Sequence, residues 1–207
     1  MPLLPLIAFT LAYFLAGTAV ILMRRDYEFL VYIGVMTAVA AVVYGVHRRV
    51  NLAQASLWGL SLWGLMHLAG GLTPVPPDWP VTGKQVLYSL WLIPGLIKYD
   101  HVVHAYGFGL TTWVCWQGLA ASLRARGLPA APTLGRLTLA AAAGTGFGAL
   151  NEVLEFIVTL IVPNTNVGGY VNTGWDLVSN LAGALMAVAL IAWAEGRKRA
   201  PRPGRAS

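Results

Sequence analysis

The stretch PLLPLIAFTLAYFLAGTAVILM, residues 2–23, contains no charged side chain and stops at Arg24 and Arg25. A helix that crosses a membrane needs about 20 consecutive apolar residues, and this stretch is long enough. A secretory signal peptide would instead carry positive residues ahead of a shorter apolar core. The stretch therefore predicts a transmembrane helix that is retained in the mature protein.

The composition of the whole chain is typical of a membrane protein. Of its 207 residues, 57% are hydrophobic and only 11% are charged, whereas soluble domains carry roughly 25% charged residues. The net charge is +6, but the positive residues stand between and after the apolar runs, without a basic face that carries interleaved aromatic residues. We therefore predict the lipid bilayer as a partner and exclude nucleic acid.

Five further apolar runs follow the first, and they are separated by polar or proline-rich segments. The runs cover about residues 29–46, 52–72, 100–123, 137–162 and 173–193. The predicted fold class is an all-α, polytopic transmembrane helical bundle of about six spans, which forms a single domain over residues 1–194. Residues 195–207 are basic and contain two prolines, so they predict a disordered cytoplasmic tail.

Residues 86–97 form another apolar segment, but it is only about half as long as a span. Pro94 and Gly95 also interrupt it. We therefore expect a short interfacial or re-entrant helix here. In the resulting six-span arrangement, ten lysines and arginines fall on one side and four on the other. Because positive residues are enriched on the cytoplasmic side, both termini are predicted to be cytoplasmic.

Polar side chains that hydrocarbon excludes occur in four of the six runs. They are His67, Asp100, His104, Glu152, Glu155, Asp176 and Asn180. A charged side chain in the bilayer centre costs at least about 2.5 kcal/mol, so such residues usually face the interior of a bundle. With a rise of about 1.5 Å per residue, all of them fall in the outer half of the membrane, although their spans run in opposite directions. We therefore predict one polar site near the outer face.

The spacing of these residues indicates a metal site. Members of each pair are three or four residues apart and so share a helical face; the pairs are Asp100 and His104, Glu152 and Glu155, and Asp176 and Asn180. Imidazole and carboxylate are ligands for zinc, manganese or iron, and a cation would relieve the repulsion among the carboxylates. The predicted metal ligands are His67, Asp100, His104, Asp176 and Asn180. Either Glu152 or Glu155 is predicted to activate water.

Other interpretations of single residues remain open. His101 could replace His104 as a ligand, although its side chain leaves the helix about 100° from that of Asp100. Asp100 and Asp176 stand near predicted helix starts, where aspartate is a favoured N-cap. His67 could be a structural hydrogen-bond donor between helices.

Four sequence blocks resemble the YjdF-like bacterial inner-membrane proteins. The blocks are MHLAGG at residues 66–71, DHVVH at 100–104, NEVLE at 151–155 and DLVSNLAG at 176–183. The last three are similar, more distantly, to VanZ-like proteins, but Asn151 and Glu155 stand where that pattern has aspartate and glutamine. The resemblance implies a multi-pass protein of the bacterial inner (cytoplasmic) membrane, and it supplies no known reaction.

Two main classes of function suit the predicted site. The first is a divalent-metal-dependent hydrolase that acts on a lipid or envelope substrate from the outer leaflet. The alternative is a small permease, proton-coupled carrier or lipid-binding accessory protein without catalysis, because intramembrane Asp, Glu and His residues often relay protons. A third, structural interpretation treats the polar residues as hydrogen-bonded contacts between helices.

Overall fold

Six long helices form the fold in the computed structural model, which describes residues 3–162 and 165–199. They are α1 (Leu4–Arg24), α2 (Tyr27–Val50), α3 (Gln54–Leu72), α4 (Tyr99–Ala125), α5 (Leu134–Ile161) and α6 (Tyr170–Arg199). Each helix covers one of the six predicted apolar runs, and the predicted all-α class is confirmed. Residues 195–199 continue α6, so this part of the predicted disordered tail is helical. The rest of that tail, residues 200–207, lies outside the described residues.

Polar residues end the first helices with tight turns. Arg25 has a φ of 53° and ends α1, and the carboxylate of Asp26 then accepts the backbone N–H of Phe29 at 3.1 Å to start α2. Asn51, with a φ of 54°, ends α2 in the same left-handed conformation. The short connection between α1 and α2 makes these two helices antiparallel neighbours.

The fourth helix lies at the centre of the bundle and contacts α3, α5 and α6. By length and composition, four helices can cross a membrane, namely α1, α2, α5 and α6. The remaining two, α3 and α4, are long but less apolar, and α4 is the helix with the most neighbours. A helix that faces other helices rather than lipid needs less apolar surface. We therefore retain the prediction that all six helices cross the membrane.

Small residues bring α6 and α5 against α4. A side chain on Gly183 of α6 would collide with the backbone carbonyl of Ala105 in α4, and one on Gly109 of α4 would lie 2.9 Å from the Gly183 oxygen. Gly144 of α5 faces the side chain of Thr112 in α4 equally closely. Close helix approach in membranes depends on such residues. Gly109 and Gly144 therefore mark close contacts of α4 with α6 and α5, and Gly183 forms the α6 side of the first of them.

The segment between α3 and α4 corrects one prediction. In the predicted segment, residues 86–97, only Leu87–Ser89 is helical, as a single 3₁₀ turn, and a β-hairpin of β1 (Trp91–Ile93) and β2 (Ile97–Lys98) follows it. Pro94 and Gly95 form the turn of this hairpin, and Gly95 has a φ of 74°. Proline followed by a residue with positive φ is typical of a type II turn. This turn reverses the chain, so the apolar run does not form the expected interfacial or re-entrant helix.

Two loops and the start of α2 meet at one end of the bundle through the buried carboxylate of Glu28. This side chain is 4% exposed, pairs with Lys84 Nζ at 3.0 Å, and accepts the backbone N–H of Asn166 at 2.8 and 2.9 Å. Lys84 belongs to the α3–α4 segment and Asn166 to the α5–α6 connection. An alternating up-and-down bundle requires these connections to lie together. We call this end the outer end, following the predicted orientation.

Candidate functional site

The outer half of the bundle contains a compact group of side chains from α4, α5 and α6. We call it the carboxylate–histidine cluster, and its members are Asp100, His104, Glu152, Glu155, Asp176 and Asn180. One ligand atom from each of Asp100, His104 and Asp176 lies within 4.8 Å of the others, and the same holds for His104, Glu152 and Glu155. The structure therefore brings together six of the seven side chains that the sequence predicts for the site.

The imidazole of His104 has two different sides. It is 2% exposed, and its Nε2 lies 3.5 Å from Asp100 Oδ1. Its Nδ1 lies 3.0 Å from the amide oxygen of Asn180 and 3.5 Å from Glu152 Oε1. Because an amide oxygen can only accept a hydrogen bond, Nδ1 carries the proton in the contact with Asn180. The lone pair on Nε2 is then free and faces Asp100.

Several carboxylate oxygens of the cluster have no hydrogen-bond donor. Both oxygens of Glu152 and the Oδ1 atom of Asp176 are buried without a partner among the described residues. Buried polar atoms are almost always hydrogen-bonded, and buried charges are paired or bind metals. These oxygens are therefore available to bind a cation or to share a proton.

On the side of the cluster formed by Asp100, His104 and Asp176, the distance between the His104 and Asp100 donors fits a metal site, and the third ligand atom lies within 4.8 Å of the other two. Two donors bound about 2.1 Å from a tetrahedral ion lie about 3.4 Å apart, and the Nε2–Oδ1 distance between His104 and Asp100 is 3.5 Å. The contact between Nδ1 and Asn180 matches the usual support of a metal-binding histidine, whose other N–H donates to an oxygen. Three protein ligands also leave the open position that catalytic sites require.

Asn172 organises this side of the cluster from the start of α6. Its Nδ2 donates to Asp176 Oδ2 at 2.6 Å and lies 3.4 Å from Asp100 Oδ2, while its Oδ1 accepts from Lys98 Nζ at 2.6 Å. One amide thus holds both carboxylates in place. Asn172 and Lys98 are not among the predicted site residues, although Asn172 precedes Asp176 by four residues, the same spacing that separates Asp176 from Asn180.

Replacement of Asn172 with alanine is expected to weaken metal binding about 10- to 100-fold, as is typical when a partner of the ligands is lost. Isothermal titration of purified protein with Zn²⁺ or Mn²⁺ measures the change. The matched control is Asn166→Ala, because Asn166 lines the same cavity but engages Glu28 only through its backbone N–H. Equal affinities for the two variants would contradict a role of Asn172 in holding the ligands.

His67 lies beside the cluster rather than in it. Its Nδ1 is hydrogen-bonded to the hydroxyl of Tyr88, and its ring stacks on Trp63 with a centroid distance of 5.8 Å. It is in neither group of potential ligand atoms. This geometry agrees with the structural alternative, in which His67 links α3 to the outer loop, and the predicted ligand role has no support in these contacts.

The structure also distinguishes between the remaining interpretations of single residues. His101 stacks on Trp175, with ring centroids 6.0 Å apart, and is in neither ligand group. Asp176 is the seventh residue of α6, which begins earlier than expected, so the N-cap interpretation is wrong for this residue. The N-cap of α4 is Lys98, and Asp100 lies in the first helical turn, where a negative charge is favourable.

A cavity of about 580 Å³ connects the cluster with the outer loops. We call it the outer cavity; its wall includes Glu28, His67, Lys84, Lys98, Asp100 and Glu155. Sites for small molecules commonly have volumes of about 300–1,000 Å³. A ligand in the outer cavity would reach Asp100 and Glu155 directly.

Comparison with known proteins gives one match. The family model described as "Predicted membrane protein (DUF2238)" matches residues 4–197. No curated protein and no solved structure matched the chain. The matched region contains the carboxylate–histidine cluster and at least the greater part of every helix. The finer resemblance to YjdF-like and VanZ-like proteins remains a prediction.

Proposed function

We propose that this chain, which belongs to the predicted membrane protein family DUF2238, is a divalent-metal-dependent hydrolase of a lipid or envelope substrate. The observation that carries the proposal is the grouping of Asp100, His104 and Asp176 around free ligand atoms beside an open cavity. The mixed imidazole and carboxylate donors suit zinc, manganese or iron. A bound divalent ion would make water acidic enough to act as a nucleophile near neutral pH.

Glu155 is the better placed of the two candidate bases. Its side chain lines the outer cavity, whereas Glu152 is buried and faces Nδ1 of His104. The amide of Asn151 donates to Glu155 Oε1 at 2.8 Å and orients it, which leaves Oε2 for a water molecule. We therefore assign Glu155 as the general base and Glu152 as a positioning residue for His104.

The proposed reaction balances with water as the only co-reactant. The water oxygen bonds to the carbonyl carbon or phosphorus of the substrate, and the bond from that atom to the leaving alcohol oxygen breaks. Glu155 accepts the proton that water loses and returns it to the alcohol. The location of the site in the outer half supports access from the outer leaflet of the bacterial inner membrane, with both termini in the cytoplasm.

The packing below the cluster supports a hydrolase over a proton-coupled carrier. A buried apolar group fills the inner half between α4, α5 and α6, and it consists of Trp116, Ala120, Ala140 and Ile191. A carrier needs a polar route through both halves of the membrane. The carrier hypothesis predicts metal-independent proton flux into proteoliposomes that Glu152→Gln abolishes.

A lipid-hydrolysis assay tests the proposed function. Wild-type protein loaded with Zn²⁺ or Mn²⁺ in liposomes of bacterial phospholipids is expected to release products that mass spectrometry detects. Glu155→Gln is expected to reduce the rate by about 10²- to 10⁴-fold, the usual contribution of a general base, while the metal content stays unchanged. Asp78→Asn is the matched control, because Asp78 is an exposed carboxylate of the outer loop that does not line the cavity. Wild-type protein that holds metal but hydrolyses no lipid or envelope component would refute the proposal.

A further inference from the structure

We infer that the ligand of this site is a phospholipid whose acyl chain lies in a groove along α2 while its phosphate head enters the outer cavity. This inference rests on the proposed function and specifies its substrate class. It depends on a second cavity, whose wall includes one member of the carboxylate–histidine cluster, Glu155.

A groove of about 380 Å³ runs between α1, α2 and α3 and reaches α5 at its outer end. We call it the lateral groove, and its apolar lining includes Leu6, Leu11, Val35, Val39, Leu60 and Ile157. Leu11, Val39 and Ile157 are about half exposed at its edge. In the described part of the chain, α2 and α5 make almost no direct contact. The groove therefore opens sideways, towards the lipid in the predicted membrane arrangement.

The lateral groove and the outer cavity adjoin each other and share part of their walls. Five residues line both, namely Tyr32, Met36, His67, Asn151 and Glu155. The proposed base thus stands at the junction of an apolar and a polar compartment. A ligand that spans this junction must have an apolar tail and a polar head, which is the chemistry of a lipid.

The length of the groove suits an acyl chain. On α2 the lining of the groove extends from Val31 to His47. The sixteen helical steps between these two residues, at about 1.5 Å each, cover about 24 Å. Half of the hydrocarbon core, the share of one leaflet, is about 15 Å thick. The groove can therefore hold a chain that descends from the outer face through its leaflet.

The outer cavity offers a cation for an anionic head. Lys98 Nζ is held by the amide oxygen of Asn172 at 2.6 Å and lies 5.3 Å from the centre of the Trp91 ring. Its partner is thus a neutral amide rather than a carboxylate, so the charge remains available. Lys84 lines the same cavity beside Glu28. A phosphate head in this position would lie next to the proposed metal ligand Asp100.

Photolabelling tests this inference. The full-length protein is placed in nanodiscs with a phosphatidylglycerol that carries a diazirine near the end of one acyl chain, and labelled peptides are mapped by mass spectrometry. We expect label on groove residues of α1, α2 and α3. Val39→Trp, which fills the groove, is expected to reduce this labelling about tenfold. The matched control is Val42→Trp on the same helix, because Val42 is 65% exposed and lies outside the groove.

The outcomes separate this inference from the proposed metal chemistry. His104→Ala is expected to label like wild type, because the groove does not depend on the metal. Groove labelling without any bound metal would support the lipid inference and contradict the proposed hydrolase.

Label that is spread evenly over α2, including the side of Val42, would show that lipid only surrounds the protein and would overturn the inference. A groove that is unlabelled, or that crosslinks to a second copy of the chain, would overturn it too. If Val39→Trp fails to fold, the wild-type map alone decides between these outcomes.

Discussion

Replacement of His104 with alanine is expected to abolish stoichiometric metal binding, whereas His101→Ala is expected to retain it. Nε2 of His104 faces Asp100 at 3.5 Å, and one ligand atom of Asp176 completes the group. Loss of a residue that only supports a ligand costs about 10- to 100-fold in affinity, so loss of the ligand itself should exceed about 100-fold. Elemental analysis after loading with Zn²⁺ or Mn²⁺, followed by calorimetric titration, measures the difference.

His101 is a suitable control because it matches His104 in burial and in its position on α4 but has different neighbours. Both are buried imidazoles in the first two turns of α4, but His101 contacts Trp91 and Trp175. Either alanine variant leaves a cavity of similar size, so general destabilisation affects both. A wild-type protein without stoichiometric metal would contradict the site. Retention of metal by His104→Ala and its loss from His101→Ala would assign the ligand to the other histidine.

Replacement of Gly183 with alanine is expected to destabilise the bundle strongly. The added methyl group would overlap the backbone carbonyl of Ala105, which cannot rotate away as a side chain would. Overpacking typically costs about 1–3 kcal/mol, and a backbone clash belongs at the upper end. For a chain of this size, about 3 kcal/mol corresponds to a decrease in Tm of about 6–12 °C. Thermal unfolding in detergent measures this decrease.

Gly174→Ala provides the matched control on the same helix. A side chain at Gly174 meets nothing within 4 Å, so alanine there is expected to leave the Tm unchanged or raise it slightly. Separation of α6 from α4 should also move Asp176 away from His104 and weaken metal binding. Equal unfolding temperatures for the two variants would show that the close contact of α4 and α6 does not stabilise the bundle.

The polar cluster illustrates how far a membrane sequence constrains tertiary structure. Asp100 and His104 share a face of α4 because they are four residues apart, and the bilayer fixes the depth of each residue once the direction of its helix is known. These two constraints sufficed to bring side chains from α4, α5 and α6 together. The family match confirms a predicted membrane protein, and four of its helices are long and apolar enough to span a membrane. The metal and the reaction remain proposals.

The outer loop shows why other features escaped prediction. The apolar composition of residues 86–97 is compatible with either a helix or strands, and Pro94 and Gly95 decide for a hairpin because Gly95 adopts a positive φ. The depth of His67 predicts a ligand, and that role stays a prediction, but the sequence does not show that Tyr88 of this loop contacts its Nδ1. Contacts between a helix and a distant loop leave no periodic signal in the sequence.

The amino-acid sequence is sufficient to predict the helices and the common depth of the polar residues, because apolar run length and helical rise are local properties. The contacts between side chains follow only from the packing of the helices. Hydropathy predicts how deep a residue lies in the membrane. The rotation of each helix about its axis and the choice of its neighbouring helices depend on close contacts such as that of Gly183 with Ala105. For this reason the two distinct sides of His104, the bridge made by Asn172 and the groove beside Glu155 became visible only in the folded chain.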